Sequence, residues 1–334
     1  MTEAEKRDID KRKKINFLNE NLGDEILDLL DREDINEISV NQDGKVWIDI
    51  AKEGYVKTET IYDNLRRKTI IEVIASFNGK SANNDTPIVS ATLPNKERFE
   101  GILGEPVDDK PVFSIRKPSR GIIPLENFFK AVFEDENGEE IYDILSKAEN
   151  SQELIKMAIL NRANILVNGG TSSGKTSLTN AMIQLLNGTK DRIITIEDTR
   201  ELNCRDIENK VMLRTTETVS AKDLLRSCMR LNPDRIFVGE LRRGEETIEL
   251  LKAWNSGHPG GISTIHANTN QSALKKVEQY LGEVSSRKQI GMILEAVNIV
   301  VNITKQNTVR GIKEIALVKG YDYEKKEYIL EKIN

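Results

Sequence analysis

The residues best able to do chemistry in this chain are Gly169-Gly-Thr-Ser-Ser-Gly-Lys-Thr176, which satisfy GxxxxGK(S/T) in full. Glycines let a backbone wrap closely, so that successive N–H groups point at phosphate oxygens. A helix beginning at the end of such a loop adds its partial positive charge. Lys175 is spaced to reach the β- and γ-phosphates of a nucleoside triphosphate, and the Thr176 hydroxyl to ligate Mg²⁺. The expected ATP-binding residues are therefore Gly169, Gly170, Thr171, Ser172, Ser173, Gly174, Lys175, Thr176 and Ser177.

A phosphate loop alone does not orient the attacking water. Two further segments, Arg192-Ile-Ile-Thr-Ile-Glu-Asp198 and Arg235-Ile-Phe-Val-Gly-Glu240, carry carboxylates where strands should end. Open α/β sheets bind ligands beyond those ends. Glu240 is expected to polarise water or hold a magnesium-bound water, which makes Thr176 and Glu240 the expected metal contacts. Glu197 is placed for a similar task across the site, and Asp198 follows it. The alternative is that these are solvated strand-end acids. Both histidines, His258 and His266, fall in Gly257–Asn268, expected just past a strand. Histidine suits the sensing of a phosphate, so His266 joins the catalytic candidates. The other reading is one core and one loop histidine. A histidine metal site would lack further nearby ligands.

These groups need a scaffold. Apolar runs at 164–168, 192–196, 235–239 and 262–265 alternate with longer helical periods, which predicts a mostly parallel sheet covered by helices. The helix after the phosphate loop carries Leu178, Met182, Leu185 and Leu186 and is expected to end at Asn187-Gly188. Upstream, residues 16–31 have an amphipathic helical pattern. Ile35–Val40 and Lys45–Ile50 flank an Asp-Gly turn and predict a hairpin. Residues 65–77 predict a helix, and 87–116 further short strands. The expected division is an α+β domain over 1–117, a Pro/Gly linker at 118–124 and an α/β domain over 125–334. The acidic stretch 134–140 reads as a solvated loop, and Glu245-Glu246 has no assigned role.

At 334 residues with 38% hydrophobic and 31% charged content, the composition is that of a soluble two-domain protein. A net charge of -5 without a basic stripe argues against direct sequence-specific nucleic-acid binding. Two isolated cysteines suit a reducing compartment. Met1–Lys14 lacks the apolar core of a signal peptide, and Ile293–Ile303 is too short and too polar to span a bilayer. The expectation is a cytoplasmic protein that reaches the inner face of the membrane only through partners.

Gly169–Thr176, Ile196–Leu202, Val238–Arg242 and Gly257–Asn268 together resemble the Walker A, Asp, Walker B and His boxes of the secretion ATPases, in order. Asp34–Ile38, Asn41–Gly44, Pro87–Ser90, Arg98–Gly101 and Phe113–Lys117 resemble that family's N-terminal domain. Ala253–Gly261 looks most like its TrbB-type conjugal-transfer branch. The resemblance implies a RecA-like ATPase domain and a homo-hexameric ring with nucleotide between the two domains. It implies that Arg98 and Arg116 meet the phosphates, and that inner-membrane components of a secretion or conjugation apparatus are the partners. Ser173 stands where many members have glycine. Pilus assembly or type II secretion is the alternative role. A RecA-like DNA translocase, a non-hydrolysing scaffold and a small-molecule kinase are more distant readings.

Overall fold

The computed structural model describes residues 3–51, 53–118 and 141–333. The chain divides into two compact units. One is Met1–Phe128 with Thr216–Val219 and Arg230–Asn232, and the other holds Phe129–Thr215, Ser220–Met229 and Pro233–Asn334. The units are thus less contiguous than a single cut at 118–124 implies. That linker, Pro118 apart, and the acidic stretch 134–140 lie outside the described residues.

In the N-terminal unit, α1 (Glu3–Leu22) and α2 (Asp24–Asp31) replace the single helical pattern read at 16–31. Gly23 separates them at φ +81, a conformation that stops a helix and that glycine adopts freely. Leu18, Leu22, Ile26 and Leu30 remain one buried stripe across the break. They pack with Ile70, Ile71 and Ile74 of α3 (Asn64–Phe77), whose first turn is capped by the Asp63 carboxylate accepting from Arg66 N–H. Beneath lies an antiparallel sheet of β1 (Ile35–Val40), β2 (Lys45–Ile50), β3 (Gly54–Ile61), β4 (Ile88–Thr92), β5 (Arg98–Ile102) and β6 (Val112–Arg116). Its order is β3-β2-β1-β6-β5-β4.

The C-terminal unit opens with α4 (Ile141–Leu145) and α5 (Ser151–Leu160). Then strands and helices alternate: β7 (Ile165–Asn168), α6 (Lys175–Gln184), β8 (Ile193–Glu197), β9 (Lys210–Arg214), α7 (Ala221–Cys228) and β10 (Arg235–Val238). They continue through α8 (Gly244–Asn255), β11 (Ile262–Ile265), α9 (Asn270–Val284) and α10 (Ile290–Ala296). The last strands are β12 (Ile299–Gln306), β13 (Val309–Asp322) and β14 (Glu327–Ile333).

The eight strands run β14-β13-β12-β7-β11-β10-β8-β9, parallel from β12 to β9 and antiparallel through β13 and β14. This is the expected mostly parallel α/β architecture. The four strands read from the sequence occupy its centre, and every residue of β7, β8, β10 and β11 is buried, as a sheet covered on both faces requires. The parallel register pairs Ile265 with Asn168 and Val238 with Ile196, so the ends that carry loop, carboxylates and histidine share one edge. α6 ends at Gln184 with Leu185 as its cap. Asn187-Gly188 forms the next turn, with Gly188 at φ +82, rather than the cap itself. Among the described residues no helix is long and apolar enough to cross a membrane.

Candidate nucleotide site

β7 delivers the chain to Gly169, and α6 takes it away at Lys175. A Cβ on Gly169 would stand 2.3 Å from Ile303 O, a backbone atom that cannot swing aside. Gly174 has φ +102, where a side chain is strained. The loop's close wrap therefore depends on these two glycines. Gly169→Ala is expected to displace the loop and raise the KM for ATP by about 10- to 100-fold, since misplacement near 1 Å carries such costs. An unchanged KM in steady-state assays would refute this.

Lys175 is buried, and its Nζ donates to Gly169 O (3.1 Å) and Gly170 O (3.2 Å) and meets His266 Nδ1 at 3.1 Å. Burial pushes the ammonium below its ordinary value, while the Glu240 and Glu201 charges act the other way. An ammonium can only donate, so His266 Nδ1 accepts. Its proton then sits on Nε2, which faces Glu240 Oε1 at 2.9 Å. Hydrogen-bond partners thus assign the tautomer.

Glu240 Oε2 accepts from Arg242 Nη2 (2.9 Å) and Nε (3.1 Å). Arg242 Nη1 reaches Asp198 Oδ2 at 2.7 Å, and Asp198 Oδ1 accepts from the Thr215 hydroxyl at 2.8 Å. The result is a continuous line: Lys175, His266, Glu240, Arg242, Asp198. Glu246, unassigned from sequence, accepts from the backbone N–H groups of Arg242 and Arg243 and so anchors the turn that carries this arginine.

Glu197 ends β8 and is buried. Its Oε1 accepts from Glu201 N–H (2.9 Å) and Leu202 N–H (2.8 Å). Burial raises its carboxyl pKa against the effect of those two bonds. The same turn brings Glu201 Oε2 within 2.9 Å of the Thr176 hydroxyl, which donates to it. Glu197 thus sets the position of Glu201.

These groups line one cleft of about 650 Å³, together with Thr171–Ser177, Thr264 and Arg310. That volume lies within the usual range for small-molecule sites. Arg310 had no sequence signal. It sits near the start of β13, and the β12–β13 hairpin folds it back so that its Nε donates to Ser172 O at 3.0 Å. Arg242 lay inside a recognised box, but only the geometry gives it contacts. The reading that sets both histidines just past a strand fails for His258. β11 lies between the two, and His258 Nδ1 meets Pro233 O (2.7 Å) before that strand begins.

Arg98 and Arg116 belong to the N-terminal unit. Arg98 begins β5, Arg116 ends β6, and the antiparallel register sets them directly opposite each other, both exposed. Glu37 faces Arg116 from β1.

A glycine-wrapped loop at a strand end, a buried lysine at the helix start and a carboxylate on the neighbouring strand end define a P-loop ATPase. The family model described as "Type II/IV secretion system protein" matches residues 22–314, and the chain belongs to that family. It is 38% identical over 307 residues to the conjugal transfer protein TrbB of Rhizobium radiobacter, covering 91% of this chain and 90% of that one. It is 33% identical over 268 residues to the type IV secretion system protein PtlH of Bordetella pertussis, with coverage of 74% and 77%. The crystal structure of the Brucella suis VirB11 ATPase, from a type IV secretion system and in complex with sulphate, superposes with a TM-score of 0.80. Identity there is 27%, over 92% of this chain and 96% of that one.

Proposed function

We propose that the chain is the ATP-hydrolysing motor of a type IV secretion or conjugal-transfer apparatus and works as a homo-hexameric ring. The observation that carries this is the line from Lys175 to Asp198 laid over the phosphate loop, in a chain 38% identical to a conjugal transfer protein across 91% of its length. Type II secretion and pilus assembly remain the alternative role, with less support from the relatives. The partners would be inner-membrane components of the apparatus, which hold the ring at the inner face of the cell membrane.

The chemistry is in-line attack of water on the γ-phosphate. Backbone N–H groups of residues 169–177 and the start of α6 bind the phosphates. Lys175 carries its charge to the β- and γ-oxygens. Glu240, held between His266 Nε2–H and the Arg242 guanidinium, presents its carboxylate to the water or to a metal-bound water. Because the Lys175 ammonium also meets His266, loss of the γ-phosphate alters a contact that Glu240 shares, which gives His266 a sensing role. Glu197 acts by fixing Glu201. Thr176, Glu201 and Glu240 present hard oxygen donors of the kind Mg²⁺ takes, and such a cation needs only one or two of them besides phosphates and water. Those three side chains would hold a bound Mg²⁺, and the chemistry it would supply there is neutralisation of the charge on the phosphate oxygens.

Arg98 and Arg116 would supply further positive charge to the transferring phosphoryl group. Two guanidinium groups opposite one another repel, and an anion between them relieves that cost. Arg116→Ala is expected to fold normally and to lower kcat by about 10³-fold, within the range for arginines of this type. Parent kinetics would remove Arg116 from the reaction. The broader reading is tested by phosphate release with and without Mg²⁺, and by light scattering of the ATP-bound chain. A monomer inert toward ATP would end it.

A further inference from the structure

Three asparagines lie behind the phosphate loop: Asn168, which ends β7, Asn302 beside it on β12, and Asn270 at the start of α9. All are buried, at 0%, 3% and 1% exposure. Asn302 Nδ2 donates to Asn168 Oδ1 at 2.6 Å and to Asn268 O at 3.3 Å. Asn168 Nδ2 donates to Asn270 Oδ1 at 2.6 Å and to Val301 O at 3.2 Å. Asn270 Nδ2 donates to Glu314 Oε1 at 3.0 Å, and Glu314 Oε2 pairs with Lys332 at 2.7 Å.

The sense of each amide is fixed, because each Nδ2 also faces a group that can only accept: a backbone carbonyl for Asn302 and Asn168, a carboxylate for Asn270. The three form a one-way chain of donors. Its position gives it a purpose. Asn168 immediately precedes Gly169, and Asn268 lies two residues after His266. Asn302 therefore ties the root of the phosphate loop to the segment that carries the histidine. The register shift between Asn302 and Ile303 lies where Ile303 O closes on Gly169.

Resting on the ATPase reading above, we propose that Asn302 is a positioning residue for phosphate chemistry, holding the loop of Lys175 and the segment of His266 at their working separation. It touches neither nucleotide nor water itself. Losing its donor leaves Asn168 Oδ1 buried without a partner and lets the two segments drift, and drift of this order is costly to chemistry.

The test is Asn302→Asp, nearly the same shape without the amide donor. As a carboxylate it opposes two acceptors. Once protonated, it regains an O–H donor toward Asn168 Oδ1, and burial brings that protonation toward neutral pH. The charged groups on the adjoining elements are Glu314, Lys332, Lys276, Lys175 and His266. The readout is the ratio to the parent enzyme at each pH, which removes the pH dependence common to both. The expected result is kcat lower by roughly 30-fold at pH 8, with KM for ATP within about threefold. The kcat ratio should recover to within about threefold near pH 5.5, as the donor returns. A parent-like kcat at pH 8, or a defect equal at every pH, overturns the proposal, because a purely structural role would lower Tm without a pH-dependent kcat. Should this variant not fold, Asn302→Ala removes the donor altogether without adding a charge. A fall in its kcat at unchanged KM supports the proposal, and a parent-like kcat overturns it. Parent enzyme inert toward ATP overturns both this and the ATPase reading, whereas parent turnover with an unaffected variant overturns this one alone.

Discussion

Lys175→Ala is expected to abolish ATP hydrolysis and weaken nucleotide binding, with kcat lowered by about 10³-fold or more through the removal of charge at the transferring group. The substitution does two things at once. It removes the ammonium that neutralises the β- and γ-oxygens. It also takes away the only group that the structure places as donor to His266 Nδ1 among the described residues. The imidazole is then free to hold its proton on either nitrogen, and Glu240 loses a fixed partner. Folding should survive. Lys175 begins α6, alanine is an excellent helix former, and a buried cation whose charge is disfavoured by burial is removed. Phosphate release and fluorescent-nucleotide titration would measure the effect. Turnover within tenfold of the parent would show that the loop is not the catalytic site.

Glu240→Gln has the second largest effect and a different signature. The amide is nearly isosteric, so the loop and its nucleotide contacts stay in place and KM for ATP changes little. Gln can still accept from Arg242 through its carbonyl oxygen, but its NH₂ then opposes His266 Nε2–H, donor against donor. The ability to polarise water is lost outright. A kcat lower by about 10²- to 10³-fold with near-parent KM is expected, the pattern of an interaction made only in the transition state. A variant that hydrolyses at the parent rate removes Glu240 from the mechanism.

Much of this site was legible in the sequence because its parts are local. The loop from Gly169 to Thr176 is contiguous, and the four central strands are short apolar runs that end in named carboxylates. Contacts made by chain return were not legible. Arg310 reaches Ser172 from 138 positions away because β12 and β13 turn back on the loop. β13 hides from a periodicity reading because its first five residues are exposed and only its middle is buried. β9 was missed because it is only five residues long and its half-buried Met212 hides the alternation, and the stretch at 293–303 was weighed as a membrane segment rather than as a strand. His258 was misplaced for a simpler reason. The twelve-residue window was read as one unit, although the apolar run at 262–265 already separates its two histidines. Gly23, by contrast, was readable as a break and was outweighed by the leucine stripe that continues past it.

The facing guanidinium groups of Arg98 and Arg116 have a consequence for how the protein responds to its medium. Along that rung of the sheet Asp49 pairs with Glu37 and Glu37 with Arg116, so no carboxylate stands between the two arginines. Dissolved electrolyte screens the repulsion between them and so tightens the strand pairing, yet the same screening would weaken the phosphate contact proposed for them. Raising ionic strength should therefore slow the motor well before it harms the fold, and brine-tolerant structure would coexist with brine-sensitive work.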